Sequence, residues 1–130
     1  MNILDENIQE DQFRLLLDWR VKVRWIGYDI GRMGMKDSEI IPLLHSLSQI
    51  TFFSRDRDFY RRRFCHTNYC LAHLVIKETE IAEFILRVLR HPSLNTRAKR
   101  MGKVIRVTPE RLYVWQLHAL QRETLDWPAK

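Results

Sequence analysis

The sequence predicts an α/β chain whose mainly parallel sheet is covered by helices on both faces and ends in a C-terminal hairpin. Short runs rich in β-forming residues alternate with segments of helical period along the chain. Hydrophobic residues make up 45% and charged residues 29%, the balance of a globular chain. At 130 residues it matches the usual length of about 100–200 residues per domain, so one domain is expected over positions 1–130.

The elements follow in order. Asn2 to Asp5 reads as a short strand that runs into the polar Asp5-Glu6-Asn7. From Ile8 to Trp19, Phe13, Leu16 and Leu17 fall on one helical face. Val21, Val23 and Trp25 alternate with Lys22 and Arg24, the period of a strand. Gly27, Gly31 and Gly34 punctuate a loop that reaches Asp37-Ser38, a helix N-cap. Ile40, Ile41, Leu44 and Leu47 carry the apolar face of that helix, and Pro42 fits it only in the first turn. Ile50 to Phe53 and Leu71 to Ile76 are apolar strand runs. Between Thr79, read as a cap, and Arg90, the residues Ile81, Phe84, Ile85, Val88 and Leu89 make a buried helical stripe. Val104 to Val107, a Thr108-Pro109-Glu110 turn, and Leu112 to Leu117 read as a hairpin; the rival is a helix opening at Pro109.

Composition also excludes whole classes. No apolar run approaches the roughly 20 residues that span a bilayer. Two Cys cannot staple a disulfide scaffold. The N-terminus is acidic where a signal peptide would be basic, so a cytoplasmic protein is expected. A net charge of +6 and a pI near 9.7 point to a polyanionic partner.

The acids are placed informatively. Asp5 follows the first strand, Asp56 and Asp58 follow the Ile50–Phe53 strand, and Asp37 and Glu39 open the helix between them. In a parallel sheet the loops that leave the strand ends gather on one edge, where sites form. Taken singly, Asp5 and Asp37 read as helix caps and Asp56 as the cap of a turn. Taken together, they read as a carboxylate cluster that needs a cation. Oxygen ligands select Mg²⁺ or Mn²⁺, and such ions serve phosphodiester hydrolysis.

Three segments carry a resemblance: Ile3-Leu4-Asp5-Glu6-Asn7, Gly34-Met35-Lys36-Asp37-Ser38-Glu39-Ile40 and Phe53-Ser54-Arg55-Asp56-Arg57-Asp58-Phe59. Together they resemble the short PIN-like nuclease family, a branch related to VapC-type toxins, and the resemblance covers most of the chain. It implies a three-layer α/β/α sandwich and Mg²⁺- or Mn²⁺-dependent endoribonuclease chemistry, and the aromatics Tyr60 and Phe64 that flank the Arg61–Arg63 run suit single-stranded RNA. Carried over by position, Asp5, Asp37 and Asp56 match the motif acids, Asp58 is a fourth, and Glu6 and Glu39 are secondary metal ligands. Many relatives are toxins neutralised by an antitoxin, so an antitoxin protein and a homodimer are expected partners. The chain departs from the pattern in two places. Ser54 stands where Thr is usual, and the separate Glu of longer relatives has no clear counterpart. That second departure keeps open a non-catalytic RNA-binding or regulatory module.

Arg55 precedes the acidic motif and Tyr60-Arg61-Arg62-Arg63-Phe64 follows it. Arg55, Arg61, Arg62 and Arg63 are the candidates for holding phosphates, since Arg binds them bidentately and stacks on bases. A solvated face accounts for the Arg run equally well, and Phe59 and Phe64 read as core. Arg97, Lys99, Arg100 and Lys103 read as a polar loop, either contacting a backbone or simply solvated. Cys65, His66, Cys70 and His73 match no familiar zinc spacing, and reduced or buried thiols are the plainer reading.

Overall fold

The computed structural model describes residues 1–129. Seven strands form one sheet in the order β2-β1-β3-β4-β5-β6-β7. They are β1 (Asn2–Leu4), β2 (Val23–Trp25), β3 (Ile50–Ser54), β4 (Tyr69–Leu74), β5 (Lys103–Val107), β6 (Arg111–Gln116) and β7 (Glu123–Asp126). β2 through β5 pair in parallel, and β6 and β7 turn back antiparallel. The helices are α1 (Glu10–Asp18), α2 (Asp37–Ser46), α3 (Ile81–Arg90) and the single turn α4 (Arg97–Arg100). The chain is thus mixed α/β with a mostly parallel sheet and a C-terminal hairpin extended by one strand. None of its helices is long and apolar enough to cross a membrane, among the described residues.

Period-two alternation splits the central strands between two cores. Leu4, Phe53, Cys70, Ala72, Leu74, Ile105 and Val107 face α1 and α3, where Leu16, Ile81, Phe84, Ile85 and Val88 meet them. Ile3, Ile50, Phe52, Tyr69, Leu71 and Val104 face the other way, against Ile40 and Leu44 of α2 and Phe59. β3 and β4 are buried along their whole length, as strands covered on both faces should be.

Several local expectations are corrected. The buried face of α1 is Gln12 and Leu16, while Leu17 is 46% exposed. Gln12 is buried because its Oε1 accepts the Ala82 N–H at 2.9 Å, capping α3 from the neighbouring helix. Thr79 therefore is not the cap. It lies in a 3₁₀ turn, Glu78–Glu80, that leads into α3. Asp37 is the first residue of α2 rather than its cap, Lys36 holds the cap position, and Leu47 lies just past the helix end. Pro42 sits in the second turn, not the first. The Ser38 carbonyl thereby loses its intrahelical donor, but Ser38 is exposed and water can serve it. β4 stops at Leu74, two residues short of Ile76, and β7 has no counterpart among the expected elements. Arg100 does not lie in a solvated polar loop but in α4. It is buried, with Nε donating to Thr51 Oγ1 at 2.9 Å and a terminal nitrogen donating to the Leu94 carbonyl at 2.8 Å.

Candidate metal centre

The carboxyl ends of β1 and β3 place the acids. Asp5 continues β1 by one residue, its N–H bonded to the Phe53 carbonyl, so its side chain lies on the α2 side of the sheet beside Ser54. Asp5 is only 6% exposed. Its Oδ2 accepts the Ser54 hydroxyl at 2.6 Å and its Oδ1 accepts the Glu6 N–H at 2.8 Å. Ser54 Oγ in turn accepts the Asp56 N–H at 3.0 Å. One hydroxyl thus ties the buried acid to the loop that carries the next two.

Asp56 caps a 3₁₀ turn, Arg57–Phe59, accepting the Asp58 N–H at 2.9 Å. The capping account and the cluster account of Asp56 both hold. Asp37, at the first position of α2, makes no capping bond. Asp37, Asp56 and Asp58 bring carboxylate oxygens within 4.8 Å of one another, a group that could hold a metal ion. Asp37 and Asp56 are half-buried and Asp58 is exposed.

Electrostatics agree with this geometry. Burial pushes the Asp5 carboxyl above its ordinary pKa; the Ser54 and Glu6 hydrogen bonds pull it back, and Asp37 and Asp56 raise it further. Burial also raises Asp37, with the charges of Asp56 and Asp58 and a hydrogen bond to the Asp56 carboxyl adding to the rise. Without a cation, Asp5 and Asp37 keep their protons to higher pH than free carboxyls do.

Glu6 and Glu39 do not join it. Glu6 accepts the Gly34 N–H at 2.9 Å, holding the glycine loop to the end of β1. Glu39 Oε1 accepts the Lys36 N–H at 3.1 Å at the start of α2, and its other oxygen pairs with Arg32. Both are engaged in building the loop that delivers Asp37.

Two hollows flank the acids. One, of about 500 Å³, includes Asp37, Asp58, Arg61 and Arg63 in its lining; Arg61 also pairs with Asp58 at 3.2 Å. The other, of about 640 Å³, includes Arg55, Asp56, Arg57 and His73. Arg62 goes elsewhere: its guanidinium lies 4.9 Å from the centre of the Trp115 ring and donates to the Ala119 carbonyl.

No protein-family model matches the chain, and the searches of curated proteins and of solved structures returned no match either. The site therefore has to be read from its own geometry.

Sequence reasoning weighed His73 only as a zinc ligand and did not place it beside the acids. It is buried on the α2 side, in register with Ser54, and lines the hollow beside Asp56. Burial lowers its pKa, Arg106 lowers it further, and Asp56 and a backbone bond to Arg55 oppose the shift. The signal was available in the period of β4, where His73 shares parity with Tyr69 and Leu71 and opposes Cys70. The same parity disposes of a four-ligand zinc cluster. Cys70 points into the α1–α3 core, while Cys65 and His66 pack on the α2 side, Cys65 donating to the Trp115 carbonyl.

Proposed function

We propose that this chain is a metal-dependent endoribonuclease of PIN-like fold that hydrolyses single-stranded RNA inside the cell. One observation carries the reading. Asp37, Asp56 and Asp58 converge at the carboxyl edge of a parallel sheet, with Asp5 buried behind them through Ser54. The donor set is all oxygen and all anionic, which suits Mg²⁺ or Mn²⁺. Asp37, Asp56 and Asp58 would hold the ion. When bound, it would polarise a phosphoryl oxygen and lower the pKa of an attacking water. Asp5 holds Ser54, and through it the backbone of Asp56, so its role is to position that loop. Arg55, Arg61 and Arg63 line the hollows on either side of the acids and can take the phosphates flanking the scissile bond. A toxin held in check by an antitoxin protein is the biological setting that the resemblance suggests.

The test is cleavage of single-stranded RNA with Mn²⁺ by the wild type and by Asp56→Asn. Cleavage that Asp56→Asn abolishes supports the reading. Equal cleavage by both proteins, or none by either with any divalent ion, overturns it.

A second reading rests on the engagement of Glu6 and Glu39 in loop hydrogen bonds, which leaves the cluster with aspartates alone. On that reading the chain binds RNA without cutting it. Calorimetric titration with Mn²⁺ separates the two, because absence of metal binding favours the second.

A further inference from the structure

Beyond His73, the row of strand-end residues continues across the sheet. Register places Ser54 beside His73, His73 beside Arg106, and Arg106 beside Tyr113, all on the α2 side. Adjacent strands lie about 4.8 Å apart, so Arg106 stands roughly 10 Å from Ser54. On this side α2 covers β1 and β3, while over β5 and β6 lie Tyr60, a 3₁₀ turn, Arg62–Phe64, and Cys65; Tyr113 and Trp115 are half-buried and Thr124 is exposed.

Three arginines lie over aromatic rings on this face. The Arg106 guanidinium is 4.1 Å from the centre of the Tyr60 ring, Arg62 is 4.9 Å from Trp115, and Arg122 is 4.8 Å from Tyr113. Among the described residues, none of the three has a carboxylate within ion-pair distance. Arg106 is held from a second direction, its Nε donating to His73 Nδ1 at 3.3 Å, so its two terminal nitrogens remain for a ligand. The Tyr60 hydroxyl oxygen is buried and makes no hydrogen bond. Asp126, opposite Arg111 in the register, is the acid that β7 adds to this face, at its far corner.

A guanidinium laid flat on a ring keeps its outer face for a base and its N–H edge for phosphate. Repeated beside one another without acids, such pairs make the stacking platform and positive surface that bind single strands. A protein partner would be favoured by an apolar centre with a polar rim, whereas this face is cationic at its centre.

We propose that the face formed by Arg106 on Tyr60, Arg62 on Trp115 and Arg122 on Tyr113 binds single-stranded nucleic acid and leads it past His73 to the acids. Only the strand's destination rests on the nuclease reading; the binding does not.

The test is fluorescence anisotropy of a labelled single-stranded RNA in EDTA, with the DNA of the same sequence and an RNA duplex as competitors. The triple variant Arg62→Gln/Arg106→Gln/Arg122→Gln is expected to bind roughly tenfold or more weaker. Its salt slope is expected to fall by about two, the value for three lost phosphate contacts on a single strand. The single-stranded DNA should compete if stacking dominates, and RNA alone if the 2′-hydroxyl is also read; either outcome supports the face. Equal competition by the duplex, or a folded triple variant with wild-type affinity and salt slope, overturns the proposal. If the triple variant fails to fold, Arg122→Glu, changing an exposed side chain, must by itself weaken binding, and unchanged affinity overturns the proposal. Binding lost in these variants while the wild type cleaves nothing would sink the nuclease reading and leave this face standing. Manganese-dependent cleavage with unaltered binding in the triple variant would do the reverse.

Discussion

Asp37→Asn is expected to stabilise the metal-free protein and to weaken its response to metal. Carboxylate oxygens of Asp37, Asp56 and Asp58 lie within 4.8 Å of one another. Two unit charges at that separation repel by about 0.9 kcal/mol in water and about 3.5 kcal/mol at an effective dielectric constant of 20. Removing the Asp37 charge relieves its repulsion with both partners. Asp58 is exposed, so solvent screens most of the larger figure, leaving roughly 1–2 kcal/mol. Against this, a carboxylate in the first turn of α2 gains about 0.3–1 kcal/mol from the helix dipole. The net is about 1 kcal/mol in favour of the variant, a rise of roughly 3–5 °C in Tm for a chain of this size. Thermal unfolding followed by circular dichroism in EDTA measures it. With Mn²⁺ the order should invert, because the wild type gains stability by binding and the variant has lost a ligand. A folded variant melting at or below wild type in EDTA would refute the repulsion argument. Equal shifts on adding Mn²⁺ would refute the metal centre.

The remaining expectations concern pH and the packing that supports the site. Asp5 and Asp37 hold raised pKa values, so the folded chain keeps their protons to higher pH than the unfolded chain does. Their contribution to stability is full below the ordinary carboxylate range and is lost as pH rises through the raised values. Metal-free wild type should therefore lose urea resistance as pH rises above the ordinary carboxylate range, with a shallower loss in Asp37→Asn; parallel curves would contradict this. Gln12→Leu should cost about 1–3 kcal/mol by orphaning the buried Ala82 N–H, and Gln12→Glu, which keeps an acceptor, should cost less; chemical denaturation reads both. Arg100→Met should cost about 2–4 kcal/mol, since it removes bonds to Thr51 and Leu94 and leaves their oxygens buried. Burial pushes the Cys70 thiol up to about 12, so it should react with a disulfide reagent only on unfolding, while the half-buried Cys65 reacts in the native state.

The layered α/β architecture could be read from the sequence because its strongest signals are periodic. Val23–Trp25, Ile50–Ser54 and Tyr69–Leu74 alternate or run apolar as paired strands must, and α3 carries an unbroken apolar stripe. Boundaries set by tertiary partners could not be read. Gln12 looks like a surface residue until α3 is packed against α1, and only then does its amide explain why Thr79 is not needed as a cap. β7, with Glu, Thr, Leu and Asp, has one partly buried residue and carries no signal apart from the edge it pairs with. Arg100, in a run of cations, is buried because Leu94 nearby and Thr51, far along the chain, offer it acceptors. At the site, the order of acids along the chain located Asp37, Asp56 and Asp58, but it could not separate them from Glu6 and Glu39.

The difference between those two sets of acids is one of competing hydrogen bonds. Glu6 and Glu39 meet backbone N–H groups that have no other acceptor, those of Gly34 and Lys36, and a carboxylate so engaged is held away from its neighbours. Asp37 begins a helix whose cap position belongs to Lys36, so nothing on the backbone claims its oxygens. Asp56 spends one oxygen on the Asp58 N–H, and that bond fixes the turn which brings Asp58 alongside. Asp5 accepts bonds from Ser54 and Glu6 and stands apart from the three grouped acids, whose Asp37 and Asp56 charges raise its pKa. The Asp56 cap thus brings Asp56 and Asp58 together, Asp37 meets them from the start of α2, and the cost in repulsion remains until a cation offsets it. A fold that only needed caps could replace Asp37 by Asn and gain stability. That the chain carries Asp there is the physical argument for a ligand.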